Sequence, residues 1–119
     1  MFKVIIAGGR EFDNYEELCK VADFKLSEKS EIEVVSGTAK GADQLGEKYA
    51  KERGYALKQF PADWNRFGLS AGYKRNEDMA IYADALIAFW DGKSKGTKHM
   101  IELARKHKIM IKVILYGRN

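Results

Sequence analysis

Three glycine-rich segments carry the residue types and spacings most able to do chemistry: Gly8-Gly9-Arg10, Gly37-Thr-Ala-Lys-Gly41-Ala-Asp43 and Asp91-Gly92-Lys-Ser-Lys-Gly96-Thr97. Each follows an apolar run and opens a stretch of helical pattern. A strand that ends in glycine and turns into a helix presents backbone N–H groups at the positive end of the helix dipole, where an anion is stabilised. The pattern therefore predicts a phosphate-bearing ligand held by Gly8, Gly9, Gly37, Gly41, Gly92, Gly96 and Thr97.

Arg75 adds a charge to this set. Arg75, Met79 and Tyr82 fall at i, i+4 and i+7, so the arginine occupies the stripe that would otherwise face the core. A guanidinium there requires a partner. It either pairs with a carboxylate such as Asp43 or Asp91, or it grips a phosphate or carboxylate of the ligand in bidentate fashion. Arg10 supplies a second cation, and Asn76 is placed to orient a ribose hydroxyl or a loop carbonyl. Asp43 suits a helix cap and a ligand contact equally. Trp90, at the end of an apolar run, is a candidate for stacking on a base, whereas Trp64 lies in a long connection.

Other chemistries find less support. Ser36-Gly-Thr-Ala-Lys-Gly-Ala-Asp43 matches neither the Walker loop nor the dinucleotide fingerprint. Gly92-Lys-Ser94-Lys-Gly96 fits the serine-hydrolase elbow letter for letter, but the ordered acid and histidine of that triad are missing downstream. Only His99 and His107 are present. No cluster has metal-site spacing, and neither a metal nor a cofactor is expected. The single cysteine, Cys19, shares a helical stripe with Tyr15, Leu18, Ala22 and Leu26 and reads as a core residue.

Alternating short apolar runs and longer amphipathic segments must position these loops. Strands are predicted near 3–7, 33–36, 56–60, 85–90 and 110–115, and helices near 15–27, 42–53, 72–82 and 97–106, with an irregular connection over 61–71. Strict alternation predicts an α/β fold: a Rossmann-like open parallel sheet of five strands with helices on both faces. The unbroken apolar runs 4–7 and 85–90 belong in the middle of the sheet, and the mixed run 56–60 at an edge. The order 3-2-1-4-5 follows, with the three glycine loops converging at the switch point between the first and fourth strands. With 119 residues, 45% of them hydrophobic, the chain reads as one domain over 1–119. The absence of a signal-like leader and of a membrane-length apolar run predicts a cytoplasmic protein with no membrane partner. The net charge of +4 is spread along the chain rather than concentrated, which favours a small nucleotide over nucleic acid as the partner.

Ile5-Ile-Ala-Gly-Gly-Arg10, Ser36 to Asp43, Phe60-Pro-Ala-Asp-Trp64, Gly72 to Asn76 and Phe89 to His99 together resemble the YspA-type branch of the SLOG superfamily over nearly the whole chain. The resemblance implies a Rossmann-like domain that binds nucleotides, nucleotide-derived signals or nucleic acid, and a homo-oligomer. Relatives include the LOG enzymes, which hydrolyse the base–ribose bond of cytokinin nucleotides, and the single-strand-binding protein DprA. LOG enzymes use an arginine on the third helix and a glutamate in a Pro-Gly-Gly-x-Gly-Thr-x-x-Glu motif. Arg75 matches the arginine and Gly96-Thr97 the Gly-Thr pair, but the glutamate position falls on Met100. Glu102 lies about 200° around the helix from that position. The resemblance thus implies binding of a nucleotide-derived ligand first. The alternatives are LOG-like hydrolysis through Asp43, Asp91 or Asp63, and DprA-like strand binding through Lys93, Lys95 and Lys98.

Overall fold

A computed structural model of the chain describes residues 1–117. In chain order the elements are β1 (Phe2–Gly8), α1 (Tyr15–Leu26), β2 (Ile32–Ser36), α2 (Ala42–Arg53), β3 (Ala56–Gln59), α3 (Trp64–Phe67), α4 (Ala71–Tyr82), β4 (Ala85–Trp90), α5 (Lys95–Lys106) and β5 (Met110–Leu115). The five strands form one parallel sheet in the order β3-β2-β1-β4-β5. This is the Rossmann-like order expected from the strand compositions.

Period-two alternation in the central strands builds a core on each face. Val4, Ile6, Val34, Ile87 and Phe89 pack with Leu18, Ala22 and Leu26 of α1 and with Tyr49 and Ala50 of α2. Their sequence neighbours Ile5, Ala7, Val35, Leu86 and Ala88 pack on the other side with Met79 and Ala80 of α4 and Met100, Ile101 and Ala104 of α5. Each large aliphatic side chain so buried contributes about 1.5–3 kcal/mol. Cys19 is half-buried and packs against the first core, as its helical spacing predicts.

Polar groups fix how α1 and α2 lie together. Tyr49 is fully buried, and its hydroxyl donates to Asp23 Oδ1 at 2.7 Å. Arg53 closes on the same carboxylate through Nε at 3.0 Å and Nη2 at 2.8 Å. The Arg53 bonds, helped by that from Tyr49, hold the Asp23 carboxyl below the usual range. α1 starts at Asn14, whose side chain accepts from Glu17 N at 3.1 Å, and α2 ends at Gly54 in a left-handed cap.

The connection 61–71, expected to be irregular, contains α3 and a 3-10 turn over Gly68–Ser70. Asp63 caps α3, its Oδ1 accepting from Arg66 N at 3.2 Å, and Gly68 closes it by donating its N–H to the Trp64 carbonyl. A capping Asp followed five residues later by Gly is the signal that was available in the sequence. No helix among the described residues is long and apolar enough to cross a membrane.

Candidate functional site

At the carboxyl ends of β1 and β4, where the strand order reverses, a crevice of about 480 Å3 opens. Of the residues singled out from the sequence, Gly8, Gly9 and Arg10 reach it from the end of β1, and Asp43 from α2. Arg75 and Asn76 enter from α4, with Asp91, Gly96 and Thr97 from the loop and first turn of α5. Ser36, Gly37, Gly41, Trp90 and Gly92 are not among the lining residues.

The glycines act mainly by letting loops approach. Gly41 has φ +81°, and a Cβ there would stand 2.3 Å from the Gly9 carbonyl oxygen, so only glycine brings the β2–α2 loop onto the β1–α1 loop. The Gly9 carbonyl then accepts from Ala42 N at 3.2 Å. Gly9 donates its own N–H to the Phe89 carbonyl at 3.0 Å, so that group is spent within the fold rather than offered to a ligand.

Arg75 is half-buried and takes neither carboxylate partner considered from the sequence: among the described residues it makes no ion pair. Its Nη1 donates to the Gly37 carbonyl and its Nε to Asn76 Oδ1, the latter at 3.1 Å. Burial pulls its pKa below the ordinary guanidinium value, the Asp43 charge opposes that, and nearby Arg10 adds to it. Asn76 in turn donates through Nδ2 to the Gly96 carbonyl at 3.3 Å and lies 3.3 Å from His99 Nδ1. The carbonyl that Asn76 holds is thus one in the first turn of α5. His99 is also held edge-on against Tyr73, with ring centroids 4.4 Å apart, and burial keeps its pKa below the usual imidazole value.

Asp43 is buried in the first turn of α2, where Gly41 and not Asp43 is the cap residue. Its Oδ2 accepts from Ala39 N at 3.1 Å. Burial pushes its pKa up to about 6 against the opposing pull of the Ala39 N–H and of Arg75. Asp91 is the converse case. Its Oδ1 accepts from Ser94 N and Lys93 N, both at 2.8 Å, and these bonds hold it below the usual carboxylate range while shaping the turn through Gly92 at φ +83°. Ser36 is fully buried, its hydroxyl donating to Glu47 Oε2 at 2.7 Å and accepting from Thr38 N at 3.0 Å.

The serine of Gly92-Lys-Ser94-Lys-Gly96 is the cap of α5, its Oγ 3.3 Å from Thr97 Oγ1 and accepting from Thr97 N. That use of the hydroxyl accounts for the motif without a nucleophile. Trp90 continues the face of Leu86 and Ala88 and packs against the core under α4 and α5, with Nε1 donating to the Ser94 carbonyl at 3.1 Å. Among the lining residues that sequence reasoning did not assign to the ligand are Trp64, Leu69, Tyr73 and Tyr116. Tyr116 follows β5 and lies beside Gly9, where a Cβ would meet its hydroxyl at 1.8 Å. Among the described residues no group of three or more His, Cys, Asp or Glu side chains is placed to hold a metal ion.

Comparison with known proteins locates this architecture. Gene 61 protein of Mycobacterium phage D29 is 32% identical over 118 residues, covering 93% of this chain and 94% of that protein. The X-ray structure of DNA processing protein A, DprA, from Streptococcus pneumoniae matches with a TM-score of 0.77 at 17% identity, over 98% of this chain and 51% of that one. The chain therefore spans about half the length of that protein. Helicobacter pylori DprA, in a structure described for its single-stranded DNA binding mode, matches with a TM-score of 0.66 at 19% identity, over 99% of this chain and 67% of that one. At these identities the two likenesses establish the shared fold. The model of the YspA, cpYpsA-related SLOG family (YAcAr) matches residues 2–67, more than half of the sequence, and the chain belongs to that family.

Proposed function

We propose that the crevice binds a nucleotide or nucleotide-derived small molecule, gripping it through phosphate. The observation that carries this reading is Arg75: a half-buried guanidinium with a carbonyl and an amide for partners, no ion pair among the described residues, and Arg10 close by. Two neighbouring cations with no carboxylate in ion-pair contact with Arg75 favour an anion, and a guanidinium offers a phosphate two parallel bonds. Asp43, ionised for the most part near neutrality, offsets some of this charge but closes no ion pair on Arg75 among the described residues. The first turn of α5, with Gly96 and Thr97 at the crevice, adds its dipole.

A thermal-shift screen against nucleoside mono-, di- and triphosphates and a short single-stranded oligonucleotide tests this. A nucleotide at about a hundred times its dissociation constant should add roughly 2.7 kcal/mol. The shift should vanish in Arg75→Ala. A response only to the oligonucleotide, fading with salt, would favour strand binding through Lys93, Lys95 and Lys98.

A second reading, hydrolysis of the base–ribose bond, draws on one observation. Asp43 places a buried carboxyl with a pKa near 6 at the crevice, in the range suited to general acid–base work. Met100, at the position where LOG enzymes carry glutamate, is buried and lines the same crevice. Base release that is lost in Asp43→Asn would establish hydrolysis; no release from any nucleoside monophosphate would dismiss it.

A further inference from the structure

We propose that Trp64 is the stacking platform for a nucleobase whose phosphate lies on Arg75. This rests on the phosphate reading of the crevice and specifies what else the ligand carries. Trp64 is 53% exposed, Leu69 95% and Tyr73 48%, yet all three line the crevice. A large aromatic with a purely structural role is normally buried, as Phe12 and Phe89 are, stacked on each other at 4.5 Å. Among the described residues Trp64 enters no aromatic pair, and about half of its surface is open at the crevice.

Position and rigidity point the same way. Gly72 lies between the platform and the cation: a Cβ there would stand 3.6 Å from Trp64 Cη2 and 3.8 Å from Arg75 Nη2. The indole edge and the guanidinium thus approach one point, with glycine leaving the gap open. The Asp63 cap and the Gly68 N–H bond hold Trp64 on an ordered turn, so little further ordering is needed on binding. A ligand that is flat and aromatic at one end and anionic at the other matches this wall, and a nucleobase joined to a sugar phosphate has that chemistry. It can come from a free mononucleotide or from a single strand.

The test is titration of the full chain with AMP, ribose 5-phosphate and a short oligo-dT strand, for the wild type, Trp64→Ala, Trp64→Phe and Arg75→Ala. Trp64→Ala should weaken AMP roughly 5- to 150-fold, the range of base–aromatic stacking, and leave ribose 5-phosphate unchanged. Trp64→Phe should restore most of the loss. In Trp90→Phe, where Trp64 is the remaining tryptophan, AMP should quench the fluorescence and ribose 5-phosphate should not. Equal loss for AMP and ribose 5-phosphate in Trp64→Ala, or no loss for either, overturns the platform while sparing the phosphate site. Binding of ribose 5-phosphate that survives Arg75→Ala overturns the phosphate site instead, and no binding of any of the three probes overturns both. Binding of oligo-dT but not AMP, with the same dependence on Trp64, supports the platform with a strand as its source.

Discussion

Arg75 and Asp43 meet across Gly37: a Cβ on that glycine would lie 2.8 Å from Arg75 Nη1 and 2.8 Å from Asp43 Oδ2. The absence of a side chain at one position in the loop after β2 therefore lets a cation from α4 and a carboxyl from α2 approach the same backbone. Gly37 has no positive φ, so its identity is dictated by space rather than by backbone conformation.

Gly37→Ala should wedge the guanidinium off the Gly37 carbonyl. Overpacking of this kind costs about 1–3 kcal/mol, and the melting temperature should fall by several degrees. An unchanged melting temperature would mean that Arg75 swings out freely and that its bond to the Gly37 carbonyl contributes little to stability.

Asp43 predicts a pH dependence of defined sign. Its pKa rises from 3.8 to about 6 on folding, so between these values the folded chain binds a proton that the unfolded chain releases. The stabilisation is complete below pH 3.8 and is lost as the pH rises through about 6. At pH 7 the charged form is disfavoured by on the order of 2–3 kcal/mol. Asp43→Asn keeps an acceptor for Ala39 N and removes the titration. Relative to the wild type it should gain stability as the pH is raised from 4 to 7.5, measured by chemical denaturation at each pH. A constant difference across that range would show that burial does not shift this carboxyl.

The sheet order was legible because Val4-Ile-Ile-Ala7 and Ala85 to Trp90 are apolar at every position, which only a strand covered on both faces tolerates. The same two runs place the crevice, since their ends define the switch point. What each side chain does there was less legible. Trp90 looked like the stacking residue because it ends β4, but parity sets it with Leu86 and Ala88 under α4 and α5. Trp64 was placed only in a long connection; its position at the crevice comes from the helical turn that Asp63 and Gly68 close around it. Tyr116 reaches Gly9 from beyond β5, a pairing with no local pattern behind it. The bond from Arg75 to Gly37 joins residues 38 apart, so periodicity indicated a partnered arginine without naming the partner.

Ser94 separates a cap from a nucleophile. Ser94→Ala removes the acceptor for Thr97 N and should cost about 1 kcal/mol, while Ser94→Asp, which preserves a cap, should recover it. Because Ser94 also lines the crevice, the carboxylate introduced in Ser94→Asp should weaken binding of an anionic nucleotide even as it restores the cap. Any esterase activity that disappears in both variants would contradict the assignment of this serine to helix capping.

Arg75→Lys probes geometry with charge held constant. Lysine carries a point charge on a flexible stem and lacks the planar fork that bonds the Gly37 carbonyl and Asn76 Oδ1 while leaving donors for a ligand. If phosphate is held by two parallel bonds, AMP affinity should fall about 10- to 100-fold, which is roughly 1.4–2.7 kcal/mol. The Gly37→Ala variant should share part of that loss, because it displaces the same guanidinium. Should Arg75→Lys instead bind AMP as the wild type does, the phosphate would be responding to net positive charge alone. Arg10 would then be the residue to remove next, since it is the second cation at the crevice.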